Sequence, residues 1–220
     1  MDSFASVFID VDGTLFDTFK KEDKRIIRKM FGSNPFIIVI DAILWFINSF
    51  DFIPNSFKIL KLRFYIYMIF SFKSYKYIIT TYEEEYKKSL KQCLKMIDES
   101  KLKKLHLKYD LHVITNNPYS LDICIDFFNH AVFCKNNGQR LRNVSNIITE
   151  KNSKENFMIG NNFADDIFLA KKLGISSCYI GKSIIRKMYG ADNYFTSFDE
   201  VVDFLLEREW FSRFFLFIIK

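Results

Sequence analysis

Two acidic residues, Asp10 and Asp12, follow an apolar run that begins at Val7, and Gly13 comes directly after them. An apolar, β-branched run that meets a glycine at once predicts a buried strand ending in a tight loop. Strand side chains alternate with period two, so both carboxylates are expected to point the same way at the carboxyl end of the strand. Adjacent carboxylates require a cation or a shared proton. Beside Mg²⁺, one can act as a nucleophile and the other, when protonated, as a general acid.

The pattern continues through Thr14 and Leu15, which complete the run acid-x-acid-Gly-Thr-Leu. Two acids alone are more typical of a turn with one capping and one solvated Asp, but the longer pattern resembles motif one of the haloacid dehalogenase superfamily. The resemblance implies phosphoryl transfer that depends on Mg²⁺ and passes through an aspartyl-phosphate. It implies that Asp10 is the nucleophile, that Asp12 is the general acid and base, and that Gly13 and Thr14 bind the substrate. Dehalogenases of the superfamily lack the second acid, so Asp12 favours phosphoryl transfer over carbon–halogen hydrolysis.

A second polar group, Thr115 and Asn116, follows the apolar run 111–114 at the predicted end of a strand. A hydroxyl at that place can donate to a phosphate oxygen, helped by the backbone N–H groups that follow. Strand ends also carry Thr and Asn simply as turn formers. Placed after motif one, with a helical segment leading in at 102–105, the pair is similar to motif two of the superfamily. The resemblance implies that Thr115 and Asn116 contact the phosphoryl group.

The third motif of the superfamily is a cation that steadies the phosphate and offsets the two aspartates. Its members place a Lys, or sometimes an Arg, just before a helix with apolar residues four, seven and eight positions later. Arg140 has this spacing, since residues 144, 147 and 148 are apolar. Lys135 and Arg142 are rival candidates, and a solvated cation is the competing interpretation. The resemblance implies that Arg140 binds the phosphoryl group and takes part in catalysis.

The stretch from Ile159 to Ile167 resembles the fourth motif, which normally has Gly-Asp and a second acid four or five residues on. Asp166 fits the position of that second acid and Asp165 stands beside it, although acids at helix starts also serve as N-caps. The chain has Asn161 where the superfamily usually supplies a carboxylate to Mg²⁺. An amide oxygen can coordinate but carries no charge, and Mg²⁺ prefers hard anionic oxygens.

The resemblance therefore implies a magnesium site made by the Asp10 carboxylate, the Asp12 backbone carbonyl, Asn161, Asp165 and Asp166. We expect its affinity for Mg²⁺ to be reduced unless Asp165 or Asp166 compensates for the missing charge.

The elements that must position these groups follow from the hydrophobic pattern. Short apolar runs separated by helix-length segments predict a parallel sheet with helices on both faces. Ligands of such sheets bind at the carboxyl ends of the strands. The predicted strands are 111–114, 131–134, 157–159 and 177–180, after the first strand, and helices are predicted over 21–30, 35–50, 57–72 and 81–100.

The predicted fold class is thus α/β, with a Rossmann-like parallel sheet formed by residues 1–18 and 87–220. An all-helical segment at 19–86 interrupts this core between motifs one and two. Superfamily members with a helical cap share that layout, so the resemblance implies that 19–86 is a cap domain.

The composition and charge of the chain favour some classes of ligand and cellular compartment over others. With 220 residues, 49% of them hydrophobic, the chain has ample material for a core. Its net charge of +6 is spread along the sequence, which favours an anionic small-molecule substrate and is accompanied by no nucleic-acid motif. The four cysteines show no metal-ligand spacing, and no signal peptide precedes the first strand, so structural thiols in a reducing cytoplasm are expected.

Two apolar stretches, 36–47 and 210–219, are shorter than the about 20 residues that a membrane span needs. Each also contains a charged residue, Asp41 in the first and Arg213 in the second. No integral membrane span is predicted. We expect a buried helix, a cap contact or a subunit contact, and the last of these would give a homodimer through the tail or the cap.

These features predict a cytoplasmic, Mg²⁺-dependent phosphatase that acts on a small phosphomonoester. The main alternative is a degenerate superfamily member that binds a phosphorylated ligand or a protein partner with little turnover, because Asn161 replaces an expected carboxylate. A phosphomutase is a further alternative. The predicted cap carries no pattern that identifies the substrate.

Overall fold

The computed structural model describes residues 4–16, 19–48, 57–128, 130–151, 155–181 and 190–218. For 19–20, 45–48, 57–61, 151 and 209–218 it describes the backbone alone. The strands are β1 (Ala5–Ile9), β2 (Tyr109–Thr115), β3 (His130–Phe133), β4 (Phe157–Gly160), β5 (Ser176–Ile180) and β6 (Asn193–Phe195). The helices are α1 (Phe19–Phe31), α2 (Pro35–Asn48), α3 (Phe57–Ser71), α4 (Tyr75–Leu94), α5 (Glu99–Lys108), α6 (Leu121–Phe127), α7 (Asn137–Lys151), α8 (Phe168–Leu173) and α9 (Phe198–Ile218). The C-terminal apolar stretch, predicted as a contact surface, has its side chains outside the described residues.

The described strands all run parallel in one sheet, in the order β3-β2-β1-β4-β5-β6. The chain builds outward from β1 to β3 and then crosses to the other side with β4, so the strand order reverses beside β1. Ile9 pairs with Val113 of β2 and Ile159 of β4, which aligns the carboxyl ends of these three strands. The predicted α/β fold with a parallel sheet is confirmed. Crevices at such reversal points bind the ligands of open α/β sheets.

Both faces of the sheet are covered by helices, as the apolar strands require. Along β1, Val7 and Ile9 point to one face and Phe8 to the other, and all three are fully buried. Phe8 packs with Ile114 and Met158 against α7 and α8. Val7 and Ile9 belong to the larger cluster, which includes residues of α4, α5, α6 and α9. Strands that are apolar on both sides are typical of a parallel sheet between two helical layers.

Four helices, α1 to α4, lie between β1 and β2 in the chain, and we call them the helical insert. Within it, α4 packs against α1 and α3, and it also packs against α6 and the turn at 118–120 after β2. α4 therefore joins the insert to the sheet, and it runs unbroken through residues 86 and 87, where the sequence placed a domain boundary. Among the described residues no helix has the length and apolar character needed to cross a membrane.

The prediction of a single helix over 81–100 is wrong, because α4 and α5 share this stretch and are separate helices. α4 ends at Leu94, and Asp98 accepts hydrogen bonds from the backbone N–H groups of Ser100 (2.8 Å) and Lys101 (3.3 Å). These are the groups that lack partners at the start of a helix, so the Asp98 carboxylate begins a new one. Helical periodicity on both sides of the break concealed this cap.

A buried ion-pair network joins the four helices of the insert. Arg63 of α3 donates to both carboxylate oxygens of Asp23 on α1 (2.9 and 2.8 Å) and to Asp41 on α2. Tyr67 donates to Asp41 (2.6 Å), and Tyr82 of α4 donates to Asp23 (2.7 Å). Asp41, which interrupts the most apolar helix of the chain, is thus a buried partner of Arg63.

We expect Arg63→Ala to lower the free energy of unfolding by about 3–5 kcal/mol, because it leaves two buried carboxylates without their cation. Urea unfolding followed by circular dichroism measures the change. The matched control is Lys103→Ala, which breaks the exposed pair with Glu99 (3.9 Å) and should cost less than about 1 kcal/mol. A loss below 1 kcal/mol for Arg63→Ala as well would show that the network does not hold the insert together.

Candidate active site

The loop that follows β1 is a tight turn built from its own backbone. The N–H groups of Phe16 and Thr14 donate to the carbonyl of Val11 (2.9 and 3.2 Å), and that of Gly13 donates to the carbonyl of Phe16 (3.0 Å). Gly13 has a φ of 89°, and a Cβ there would lie 2.0 Å from the side-chain nitrogen of Asn161. Conformation and space therefore both require glycine. Gly13 and Thr14 were predicted to bind the substrate, and their backbone N–H groups donate hydrogen bonds within this turn.

Arg140 is the cation that the structure brings to Asp10. Its Nη2 donates to Oδ1 of Asp10 (3.0 Å) and to Oδ1 of Asp166 (2.7 Å), and its side chain is only 1% exposed. It lies in the first turn of α7. The rival candidates Lys135 and Arg142 are exposed to solvent. The Nε of Arg140 is buried and has no hydrogen-bond partner among the described residues, which leaves a donor for a ligand.

The loop after β4 is organised around Asp166. The N–H of Asn162 donates to Oδ2 of Asp166 (2.9 Å), and the side-chain oxygen of Asn162 accepts from the N–H of Asp165 (3.0 Å). A Cβ on Gly160 would lie 2.1 Å from the Asp166 carboxylate, so this glycine makes room for it. Both oxygens of Asp166 are engaged, one by Arg140 and one by the backbone. Asp166 is therefore placed as a counter-ion of Arg140.

Burial raises the pKa values of both acids of motif one. The pKa of Asp10 rises to about 6, because desolvation and the nearby Asp165 outweigh the charge of Arg140. The pKa of Asp12 rises to about 7, again through burial, while a hydrogen bond from Tyr86 opposes the shift. Burial therefore favours the protonated form of both carboxyls, and it does so more strongly for Asp12 than for Asp10.

Two side chains that sequence reasoning missed hold the carboxylate of Asp12. Tyr86 of α4 donates its hydroxyl to Oδ1 (2.6 Å), and Asn117 donates its side-chain amide to Oδ2 (3.1 Å). Tyr86 is fully buried and lies 74 positions along the chain from Asp12. No short-range spacing could reveal that contact. Asn117 directly follows the residues of motif two, so its position in the sequence was a usable signal.

We expect Tyr86→Phe to raise the pKa of Asp12 above 7, because it removes a hydrogen bond that favours the ionised carboxylate. A hydrogen bond to a charged group contributes about 1.5–3 kcal/mol, which corresponds to roughly one to two pKa units. If protonated Asp12 is the acid, the alkaline fall of kcat/KM should move to higher pH by that amount. A pH–rate profile checks it, with Tyr119→Phe as the control because its ring lies beside that of Tyr86 (6.5 Å). An unchanged profile would contradict the prediction.

Thr115 lies at the carboxyl end of β2, beside β1, but its hydroxyl is engaged in its own turn. The Oγ1 accepts a hydrogen bond from the N–H of Asn117 (3.0 Å) and lies 2.9 Å from Oγ of Ser120. Asn116 is half-buried beside it. The buried hydroxyl of Thr14 has no hydrogen-bond partner in the part of the chain that the structure describes. Of the two predicted hydroxyls, Thr14 is the one left for a ligand.

The oxygen donors near Asp10 fit a hard cation such as Mg²⁺. The side-chain oxygen of Asn161 is buried and has no hydrogen-bond partner among the described residues, as a ligand oxygen would. Among those residues no cluster of three or more His, Cys, Asp or Glu side chains is arranged to hold a metal. A mixed set of one or two carboxylates, an amide oxygen, a backbone carbonyl and waters suits Mg²⁺, which retains several waters in proteins. Asp10, Asn161 and the carbonyl of Asp12 carry oxygens of these types.

Solved structures resemble this chain along almost its whole length. A HAD-hydrolase from Bacillus subtilis, YfnB, described as bound to magnesium, is 16% identical with a TM-score of 0.60, covering 92% of this chain and 99% of its own. A HAD phosphatase from Thermococcus onnurineus is 17% identical with a TM-score of 0.50, covering 91% and 97%. A haloacid dehalogenase-like hydrolase from Burkholderia xenovorans is 13% identical with a TM-score of 0.50, covering 94% and 99%.

No protein-family model matches the sequence, and no curated protein matches it either. At these identities the likenesses establish the fold. The chain has the fold of the haloacid dehalogenase superfamily, and the resemblance implied by the four motifs is confirmed at that level.

Proposed function

We propose that this chain is a hydrolase, specifically a Mg²⁺-dependent phosphatase that cleaves a small phosphomonoester through an aspartyl-phosphate. One observation carries the proposal. Asp10 has Arg140 on one carboxylate oxygen, while Asp12, two residues on, has a pKa near neutrality. Both lie at the carboxyl end of β1, where the strand order of the sheet reverses. A nucleophile with its own counter-ion beside a protonatable acid is what phosphoryl transfer to a carboxylate requires.

In the first step a carboxylate oxygen of Asp10 attacks phosphorus, and the bond between phosphorus and the leaving oxygen breaks. Protonated Asp12 gives its proton to that oxygen, so the leaving group departs as a neutral alcohol. Arg140 offsets the charge of Asp10 and can donate through its free Nε to a phosphoryl oxygen. For Asp12 to carry the proton on an oxygen without a donor, either Tyr86 must release Oδ1 or Asn117 must release Oδ2.

In the second step Asp12, now ionised, takes a proton from water, and the water oxygen attacks the phosphorus of the aspartyl-phosphate. The bond between phosphorus and Asp10 breaks, which frees inorganic phosphate and restores both carboxyls. Asp10, the Asp12 carbonyl, Asn161 and Asp165 are the residues that would hold Mg²⁺. When bound, the ion would neutralise the charge of the phosphoryl group and align it.

We expect Asn161→Asp to tighten Mg²⁺ binding by about tenfold or more, because it adds a negative oxygen at the cation. Changes to outer partners of a metal alone shift affinity about 10–100-fold. Calorimetric titration of Mg²⁺ measures this without relying on turnover, and Asn193→Asp on β6 controls for the added charge. No change, or weaker binding, would mean that the loop is organised around Asp165 and that a further carboxylate only adds repulsion.

The helical insert is proposed to act as a cap over the carboxyl ends of the strands. Its α4 supplies Tyr86 to Asp12, and the thiol of Cys93 on the same helix lies 3.4 Å from the carbonyl of Leu15 in the loop after β1. Lids of this kind exclude water and complete a site. Residues 19–86 would then set the choice of leaving group.

A degenerate protein that binds a phosphorylated ligand with little turnover is the second candidate. It is favoured by the uncharged Asn161 at the proposed metal and by the Thr115 hydroxyl, which is bonded within its own turn. Under this alternative, Arg140 and the turn after β1 would bind a phosphate without transferring it.

Phosphate release from a panel of phosphomonoesters, with Mg²⁺ and with chelator, tests the proposal. The expected result is release of inorganic phosphate that requires Mg²⁺. Ligand-dependent stabilisation without release would support the binding protein instead. Conversion of a sugar phosphate to its isomer without release would support the phosphomutase alternative.

A further inference from the structure

The outward faces of α2 and α3 carry a large exposed apolar surface. Nine of the fifteen exposed large hydrophobic residues of the described chain lie there or at the corner after α3. We call this surface the insert patch. It consists of Phe36, Ile38, Val39, Ile43, Leu62, Tyr65, Ile69, Phe70 and Phe72.

The α2 and α3 parts of the insert patch are in contact, and together they expose more apolar surface than a typical monomer does. The ring of Phe36 on α2 stacks on that of Phe70 on α3 with 5.9 Å between centroids, which joins the two helices. Exposed fractions run from 40% to 97%. With about 150–250 Å² for a whole aromatic side chain, the patch presents on the order of 1,000 Å². The largest apolar patch of a typical monomer is about 300–600 Å².

Phe72 adds a second, independent sign that this surface makes contacts. Its φ is 57°, a left-handed conformation in which a bulky residue is strained and glycine is preferred. Its side chain is nevertheless 97% exposed. A contact outside the chain would give this exposed ring the partner that the chain itself does not supply among its described residues.

The charges around the insert patch indicate the charge of the partner that it would bind. Between residues 32 and 80 the sequence has five basic and two acidic residues, and the chain as a whole carries +6. Arg63 and Asp41 are buried against each other and add no charge to the surface, which leaves four basic residues and one acidic residue in this stretch. Lys76 is exposed, and Lys73 lies 5.0 Å from the ring centre of Tyr77. A symmetric pair of copies would bring two such basic margins together, whereas an anionic surface would attract them.

Tyrosines occupy the border between the apolar residues and these lysines. Tyr65 stacks on Tyr75 with 4.3 Å between ring centroids, and Tyr77 is half-exposed beside Lys73. Tyrosine and lysine next to an aliphatic surface are typical of the boundary between lipid tails and headgroups.

We propose that the insert patch binds the surface of an anionic lipid bilayer, with α2 and α3 lying along the interface. The aliphatic and phenylalanine side chains enter the upper acyl region, while Lys76 and the tyrosines stay at headgroup level. This binding does not depend on the proposed catalytic function.

Sedimentation with vesicles tests the proposal, using phosphatidylcholine alone and phosphatidylcholine mixed with phosphatidylglycerol. We expect binding to the mixed vesicles and at least tenfold weaker binding for the double variant Ile43→Glu/Ile69→Glu. The matched control is Met96→Glu/Leu107→Glu, which alters two exposed apolar residues outside the insert patch and should bind like wild type. Circular dichroism checks that each variant is folded.

Phe72→Gly gives a separate measurement, because it relieves the strained backbone as it removes the exposed ring. We expect it to fold at least as well as wild type and to bind vesicles several-fold more weakly. Equal binding by the patch variants and wild type, or no binding of the mixed vesicles at all, overturns the proposal. A dimer seen by light scattering that Ile43→Glu/Ile69→Glu dissociates, without vesicle binding, would assign the insert patch to a second copy of the chain instead.

Discussion

Asp10→Asn is expected to reduce phosphate release to the uncatalysed background while the protein stays folded. An amide is too weak a nucleophile to form the covalent intermediate, so the first step fails for every phosphomonoester. Substrate binding and protonation of the leaving group do not compensate for the missing bond between residue 10 and phosphorus. Turnover of the best substrate of the panel measures the effect, and acid-quenched mass spectrometry should detect a phosphorylated chain in wild type only.

The control for this substitution is Asp122→Asn, which makes the same chemical change at a carboxylate whose side chain is 78% exposed. Its turnover should equal that of wild type. Asp10→Asn should also unfold cooperatively, because Arg140 keeps Asp166 as a partner. Turnover near the wild-type level in the Asp10 variant would remove that residue from the nucleophile role.

Asp12→Asn is expected to lower kcat by about 10²–10⁴-fold, the range that general acid–base catalysis contributes. The amide can neither protonate the leaving oxygen nor activate water. The loss should be largest for substrates with strongly basic leaving groups, because a good leaving group departs without a proton. A series of aryl and alkyl phosphates measures this dependence. An equal loss for all leaving groups would contradict the assignment of Asp12 as the acid.

The stability of the Asp12 variant supplies an independent check. The pKa of this buried group is raised from its ordinary value of 3.8 to about 7. The folded protein therefore binds the proton more tightly, and the resulting stabilisation is present below pH 4 and is lost as the pH rises through about 7. The neutral amide removes this dependence. At pH 8 Asp12→Asn should be at least as stable as wild type, so a loss of turnover there reflects chemistry.

The sequence by itself determined the parallel α/β sheet and the position of Asp10 and Asp12 after its first strand. The first strand, the glycine after Asp12 and the four later apolar runs depend on local rules of periodicity and turn chemistry, which act within a few residues. Because parallel strands place their carboxyl ends at one edge, the meeting of the loops after β1, β2 and β4 also followed from the sequence. The positions of Asp12, Thr115 and Asn161 at this edge of the sheet could be predicted because each follows the end of one of these strands.

Tertiary structure decided which of the candidates actually meet. Arg140 rather than Arg142 faces Asp10, because that choice depends on which face of α7 is buried against the sheet. Lys135 lies before α7 and is exposed. Asp166 pairs with Arg140, since the π-helical turn at 163–167 sets the direction of its side chain.

The contacts of the helical insert depended on tertiary structure most of all. Tyr86 reaches Asp12 across 74 residues, and Arg63 meets Asp23 and Asp41 on two other helices. Local periodicity indicates only that such residues are helical. Their partners are determined only when the four helices pack together, because each buried polar group then needs a hydrogen-bond partner. The sequence of one helix does not show which residues of the other helices will lie beside it.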